Sequence, residues 1–133
     1  NLDEEVLESS PELIGELIDG WIAADDKSKF KVISDVVSFY FFTKFENPTL
    51  GAKLERGFKW MMSSDDMAST KKLADNYKQV FNFYAKDNPQ LGMMLKNLID
   101  EAIRLKANSN REKPSANYEK QIKLLNDAKD AMK

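Results

Sequence analysis

Asn47-Pro48-Thr49-Leu50-Gly51-Ala52-Lys53-Leu54 returns 41 residues later as Asn88-Pro89-Gln90-Leu91-Gly92-Met93-Met94-Leu95, so an N-P-x-L-G-x-x-L box occurs twice. Its upstream flank repeats as well: Phe41-Phe42-Thr43-Lys44 corresponds to Phe83-Tyr84-Ala85-Lys86, with one extra residue near Phe45 before the first Asn-Pro. A more degenerate copy is Ser10-Pro11-Glu12-Leu13-Ile14-Gly15-Glu16-Leu17, in which leucines again follow the proline by two and six residues and the glycine is displaced by one. Downstream of the first two copies, Trp21-Ile22-Ala23-Ala24-Asp25-Asp26 is matched by Trp60-Met61-Met62-Ser63-Ser64-Asp65-Asp66, a tryptophan followed after a short spacer by an Asp doublet. Two matches in the same order mark an internal repeat.

Each box reads as the start of a helix. Ser10, Asn47 and Asn88 can accept a hydrogen bond from a free N–H of the first turn, and a proline in the next position has no N–H to leave unpaired. The residue before a proline is pushed out of the α region, so the same dipeptide also ends whatever helix precedes it. This predicts first helices at about 11–23, 48–62 and 89–107 and second helices at about 26–45, 66–86 and 115–132, the Asp doublets capping the second set. Leu73, Tyr77, Val80, Phe81 and Tyr84 follow helical spacing, as do Tyr118, Ile122, Leu125 and Met132 more thinly. The stretch 26–45 is apolar on nearly every side and is expected to be a central helix, or to offer its surplus face to a partner.

Only 5 Gly and 4 Pro are present, and Pro114 marks the one long loop expected, at Asn108–Lys113. No segment alternates as a strand does. The expected fold class is therefore all-α, a single domain over 1–133 built of three tandem αα-hairpin repeats at approximately 10–46, 47–87 and 88–133. Their six helices would stack into a compact bundle or a short solenoid.

Composition removes many functions. With no His and no Cys among 133 residues there is no Ser-His or Cys-His nucleophile, no zinc finger, no thiol redox motif and no disulfide. Phosphate-cradling loops and the common catalytic motifs are missing. Nothing in the spacing singles out one carboxylate pair among 22 acidic residues, so the chain is read as a non-enzyme. No cofactor and no metal are expected: Asp25-Asp26 and Asp65-Asp66 lack calcium-loop spacing and sit where helix caps belong. No apolar run approaches the ~20 residues of a membrane span, and the chain reads as soluble. Beginning at Asn1 rather than Met, it reads as a processed product or an excised fragment, in the cytoplasm or exported.

The net charge of −2 hides a division: residues 1–26 hold nine acidic residues and no basic one, whereas residues 27–133 carry +7. The acidic start opposes nucleic-acid binding, which leaves weak binding by the basic body as a secondary alternative. Aromatic surplus supplies the leading candidates for partner contact: Trp21 and Trp60 at equivalent repeat positions, and Phe39, Tyr40, Phe42 and Phe45, crowded beyond what one buried stripe can use. Met62 and Met93 join them, because adjacent methionines in Met61-Met62 and Met93-Met94 cannot both face one core. The expected function is a non-enzymatic protein-interaction module, an adaptor, effector or regulatory domain that binds a protein partner through an apolar, aromatic helical face; a homo-oligomer is open to it. The alternative is a carrier that holds a small apolar ligand inside the bundle.

Overall fold

Asn47 and Asn88 start their helices in the same way. The Asn47 side chain accepts from the Leu50 N–H at 3.1 Å and that of Asn88 from the Leu91 N–H at 3.2 Å, while the backbone carbonyls of both asparagines accept from Gly51 and Gly92. The proline sits in the first turn, where no partner for its nitrogen is needed. Leu50, Leu54, Leu91 and Leu95 are all buried, so the two copies of the box build the same capped, inward-facing first turns.

The computed structural model describes residues 11–39 and 47–132. All regular structure among them is helical: α1 (Pro11–Ala23), α2 (Phe30–Phe39), α3 (Pro48–Met62), α4 (Met67–Tyr84), α5 (Pro89–Glu112) and α6 (Ala116–Asp130), with short 3₁₀ turns at Lys27–Lys29 and Ala85–Asp87. The chain divides into two compact units, Asn1–Met61 and Met62–Lys133.

In the first unit α1, α2 and α3 converge where a side chain is missing. A Cβ on Gly57 would lie 3.3 Å from Ile18 Cγ2 and 3.5 Å from Ile33 Cγ2, so glycine lets the α3 backbone approach both isoleucines. Ile14, Phe30, Val36, Phe58 and Met61 complete this core. The end of α1 is a Schellman turn, with Asp26 N–H bonded to Trp21 O and Asp25 N–H to Ile22 O. It places Asp25 at a φ of 49°, a left-handed conformation that a short Asx side chain tolerates better than most. Asp26 then caps the 3₁₀ turn through Ser28. The helix expected over 26–45 thus begins as a 3₁₀ turn and becomes α-helical at Phe30; residues 40–46 lie outside the described residues.

The second unit packs α4, α5 and α6 on one another. On α5 the buried positions Leu91, Leu95, Ile99, Ala102 and Lys106 run at helical spacing, facing Leu73, Ala74 and Tyr77 of α4 and Tyr118, Leu125, Ala128 and Met132 at and after α6. A Cβ on Gly92 would come within 3.1 Å of the Phe81 ring and 3.3 Å of Ala85 Cβ, the close approach that this glycine permits. The expected loop at Asn108–Lys113 is instead mostly helix, since α5 continues to Glu112. One of its polar residues has a distant partner, Ser109 Oγ donating to Ser63 O at 2.8 Å, and Lys113 N–H closes the last turn on Ser109 O before Pro114 forbids another.

Tyr77 is fully buried and its hydroxyl meets no hydrogen-bond partner among the described residues, and burial holds its phenol far above the ordinary pKa. An unpaired buried hydroxyl costs about 1–3 kcal/mol. Tyr77→Phe is therefore expected to raise stability by about 1 kcal/mol in urea denaturation; a loss of similar size would show that the hydroxyl is satisfied after all.

Candidate functional site

The sequence-selected residues divide sharply. Trp21 is half-buried, with Lys29 Nζ 5.9 Å from its ring centroid, and Trp60 is half-buried, edge-on to Phe30 at 4.7 Å, its Nε1–H donating to Asp25 Oδ1 at 2.9 Å. Both indoles are tied into their own unit. The Phe39 side chain, Tyr40, Phe42 and Phe45 lie outside what is described. Met61 and Met62 are both buried, so this doublet does not divide between core and surface, and at 0 % exposure Met62 offers no surface for a partner, contrary to expectation. Met93 is 66 % exposed while Met94 is half-buried, so the second doublet does divide.

The corner between α4 and α5 carries the largest exposed apolar side chains of the second unit. Phe83 is 78 % exposed and Tyr84 61 %, at the last two positions of α4, and Met93 stands in the opening turns of α5. The Phe83 and Tyr84 rings are 6.5 Å apart. Behind them Phe81 is half-buried against Gly92, with Lys96 Nζ 5.4 Å from its centroid. Rigid backbone holds the corner: α4 closes through the 3₁₀ turn and Asn88 immediately caps α5. Helical spacing puts Tyr84 on the same stripe of α4 as Leu73 and Tyr77, but the stripe drifts off the core after Tyr77, where Val80 and Phe81 are only half-buried. Adjacency gives no signal for an exposed pair: it leaves at most one of Phe83 and Tyr84 outside an apolar stripe, and both members of Met61-Met62 are buried.

A second cluster surrounds the segment that leads into α4. Asp66 caps that helix through Ser69 N–H, while Asp65 accepts from Gln121 Nε2 at 2.7 Å and from Ser115 Oγ at 2.9 Å. Thr70 Oγ1 joins Gln121 Oε1 to Asp66 O. Lys106 Nζ donates to Ser64 O at 2.5 Å; the lysine has 0 % exposure, and burial pulls its pKa from 10.5 down to about 8. These bonds fasten residues 63–66 to α5 and α6. The spacer between Trp60 and its Asp doublet is one residue longer than that after Trp21, and Asp65 is correspondingly turned toward α6 rather than placed as Asp25 is. With Asp65 and Asp66 engaged as hydrogen-bond acceptors, the doublet serves structure. Among the described residues no three acidic side chains converge as a metal site would require, and no helix is long and apolar enough to cross a membrane.

No family model matches the chain, and no curated protein and no solved structure matches it either.

Proposed function

We propose that this chain is a non-enzymatic protein-interaction module whose contact face is the α4–α5 corner. The observation that carries the reading is the exposure of Phe83, Tyr84 and Met93 together, on backbone that is capped and closed on both sides of the turn. Aromatic side chains and methionine gain most from being covered at a protein interface, and presenting them from rigid helices lowers the entropy lost on binding. The tandem-hairpin reading belongs to the same proposal. It is supported by the matching caps at Asn47 and Asn88, and it makes Phe41-Phe42 the counterpart of Phe83-Tyr84 in the preceding copy.

The test is affinity capture from a native lysate with wild type and with the Phe83→Ser, Met93→Ser double variant, shown folded by circular dichroism. A protein retained by wild type is then purified and titrated against both. At least tenfold weaker binding by the variant, about 1.4 kcal/mol, is the expected result. Equal retention by wild type and variant would remove the corner from the interface.

A further inference from the structure

Between α4 and α6 lies an open groove of about 410 Å³. Its floor is Ala74, Leu124 and Ala128: the alanines are buried and Leu124 is half-buried, so the groove has an apolar bottom set below longer side chains. Those longer side chains are Lys71 and Lys78 on α4 and Lys120 and Lys123 on α6, with Asp75 and Asp127 between them. Lys71 pairs with Asp75 at 2.9 Å, Lys78 with the same carboxylate at 3.5 Å, and Lys123 with Asp127 at 3.0 Å. All three pairs are solvent-accessible, of the kind that contributes little to stability and exchanges readily for a better partner. Four cations against two carboxylates leave a surplus of positive charge along the rim.

We infer that this groove is a docking surface for a short acidic amphipathic helix of a partner protein. Its dimensions argue for a helix. Lys71 to Lys78 and Lys120 to Asp127 each span one heptad, roughly 10 Å or two helical turns at ~1.5 Å per residue. A ligand helix of that length sets an apolar side chain on half-buried Leu124, between the lysine stems and over the closed-off Ala74 and Ala128, and turns flanking Glu or Asp toward the lysines. An extended peptide gains nothing here, because α4 and α6 keep their backbone donors within the helices and offer no strand edge.

The lining also chooses protein over nucleic acid. No aromatic side chain lines the groove for a base to stack on, Asp75 and Asp127 would face the phosphodiester backbone, and the apolar floor matches aliphatic side chains. Residues 62–133 hold 13 basic and 10 acidic side chains, a surplus of only three, so attraction is concentrated at this rim rather than spread over a polyanion-binding face. The groove is distinct from the α4–α5 corner, and the inference stands independently of that site.

The experiment titrates the full chain, by fluorescence anisotropy, into a labelled helical peptide of about 14 residues with Leu on one face and Glu flanking it. Its Lys-for-Glu counterpart and a single-stranded oligouridine are run in parallel. The acidic peptide is expected to bind with a Kd below about 1 mM and to weaken severalfold between about 50 mM and about 300 mM NaCl. Lys78→Glu, Lys120→Glu should weaken it at least tenfold, whereas Lys78→Arg, Lys120→Arg should retain it. Phe83→Ser, Met93→Ser should leave it unchanged, so that failure of the corner and failure of the groove are told apart. No binding at about 1 mM, or binding indifferent to the charge reversal, overturns the inference. Tighter binding of oligouridine with the same lysine dependence overturns it in favour of a polyanion site.

Discussion

Trp60→Ala is expected to cost the first unit about 3 kcal/mol, at the lower end of what truncating a large aromatic costs because the indole is half-buried rather than enclosed. At least two interactions go with the side chain. The edge-on contact with Phe30 at 4.7 Å contributes about 1 kcal/mol beyond the area covered, and the Nε1–H bond to Asp25 at 2.9 Å about as much again. The second matters beyond its own energy. Asp25 holds the left-handed position that closes α1, so Trp60 ties the end of α1 to α3. Trp60→Phe keeps a ring against Phe30 while deleting the donor and the second ring of the indole, and should cost about 1–2 kcal/mol. Both tryptophans lie in the first unit, so urea unfolding followed by fluorescence reports that unit and circular dichroism reports the whole chain. A loss under about 0.5 kcal/mol for Trp60→Ala would mean that the indole is surface decoration.

Raising the pH from 7 to 9.5 is expected to stabilise the wild-type chain by about 2 kcal/mol relative to Lys106→Met. Lys106 titrates near 10.5 when unfolded but near 8 in the fold, because burial penalises the ammonium more than the carboxylates of Asp66 and Asp65 favour it. Between those values the unfolded chain binds more protons than the native one, so stability rises with pH. Below pH 8 the native lysine is charged and the full penalty of burying it is present. Lys106→Met fills the same volume without a titrating group, so its curve should lack this rise. Tyr77 and Tyr118, whose phenols burial pushes upward, oppose the trend only near pH 10 and do so in both proteins. Parallel curves for wild type and Lys106→Met would show that the Lys106 ammonium is as well solvated in the fold as in water.

Lys106 also shows where sequence reading stops. It occupies a position in register with Leu91, Leu95, Ile99 and Ala102, one that helical periodicity assigns to an apolar residue. Its long stem packs within the unit while Nζ reaches the carbonyl of Ser64, 42 residues away in sequence. No local pattern encodes that partner. The same holds for Asn108–Glu112, whose polar composition reads as loop until Ser109 meets the carbonyl of Ser63. Tyr84, placed in a buried stripe by its spacing, is exposed because the stripe drifts away from its neighbours before the helix ends.

The features legible along the chain are local ones. The three Pro-started helices begin where Pro11, Pro48 and Pro89 place them, α1 and α3 end where expected, and the all-helical class follows from the absence of strand alternation. Caps, proline restrictions and helical period act within a few residues, so they can be read along the chain. The tertiary structure alone decided which of the apolar side chains are covered. Met62 went inside, Phe83 and Tyr84 were left out, and four lysines were brought to one groove, because burial depends on neighbours supplied by distant parts of the chain, and no short-range pattern specifies them.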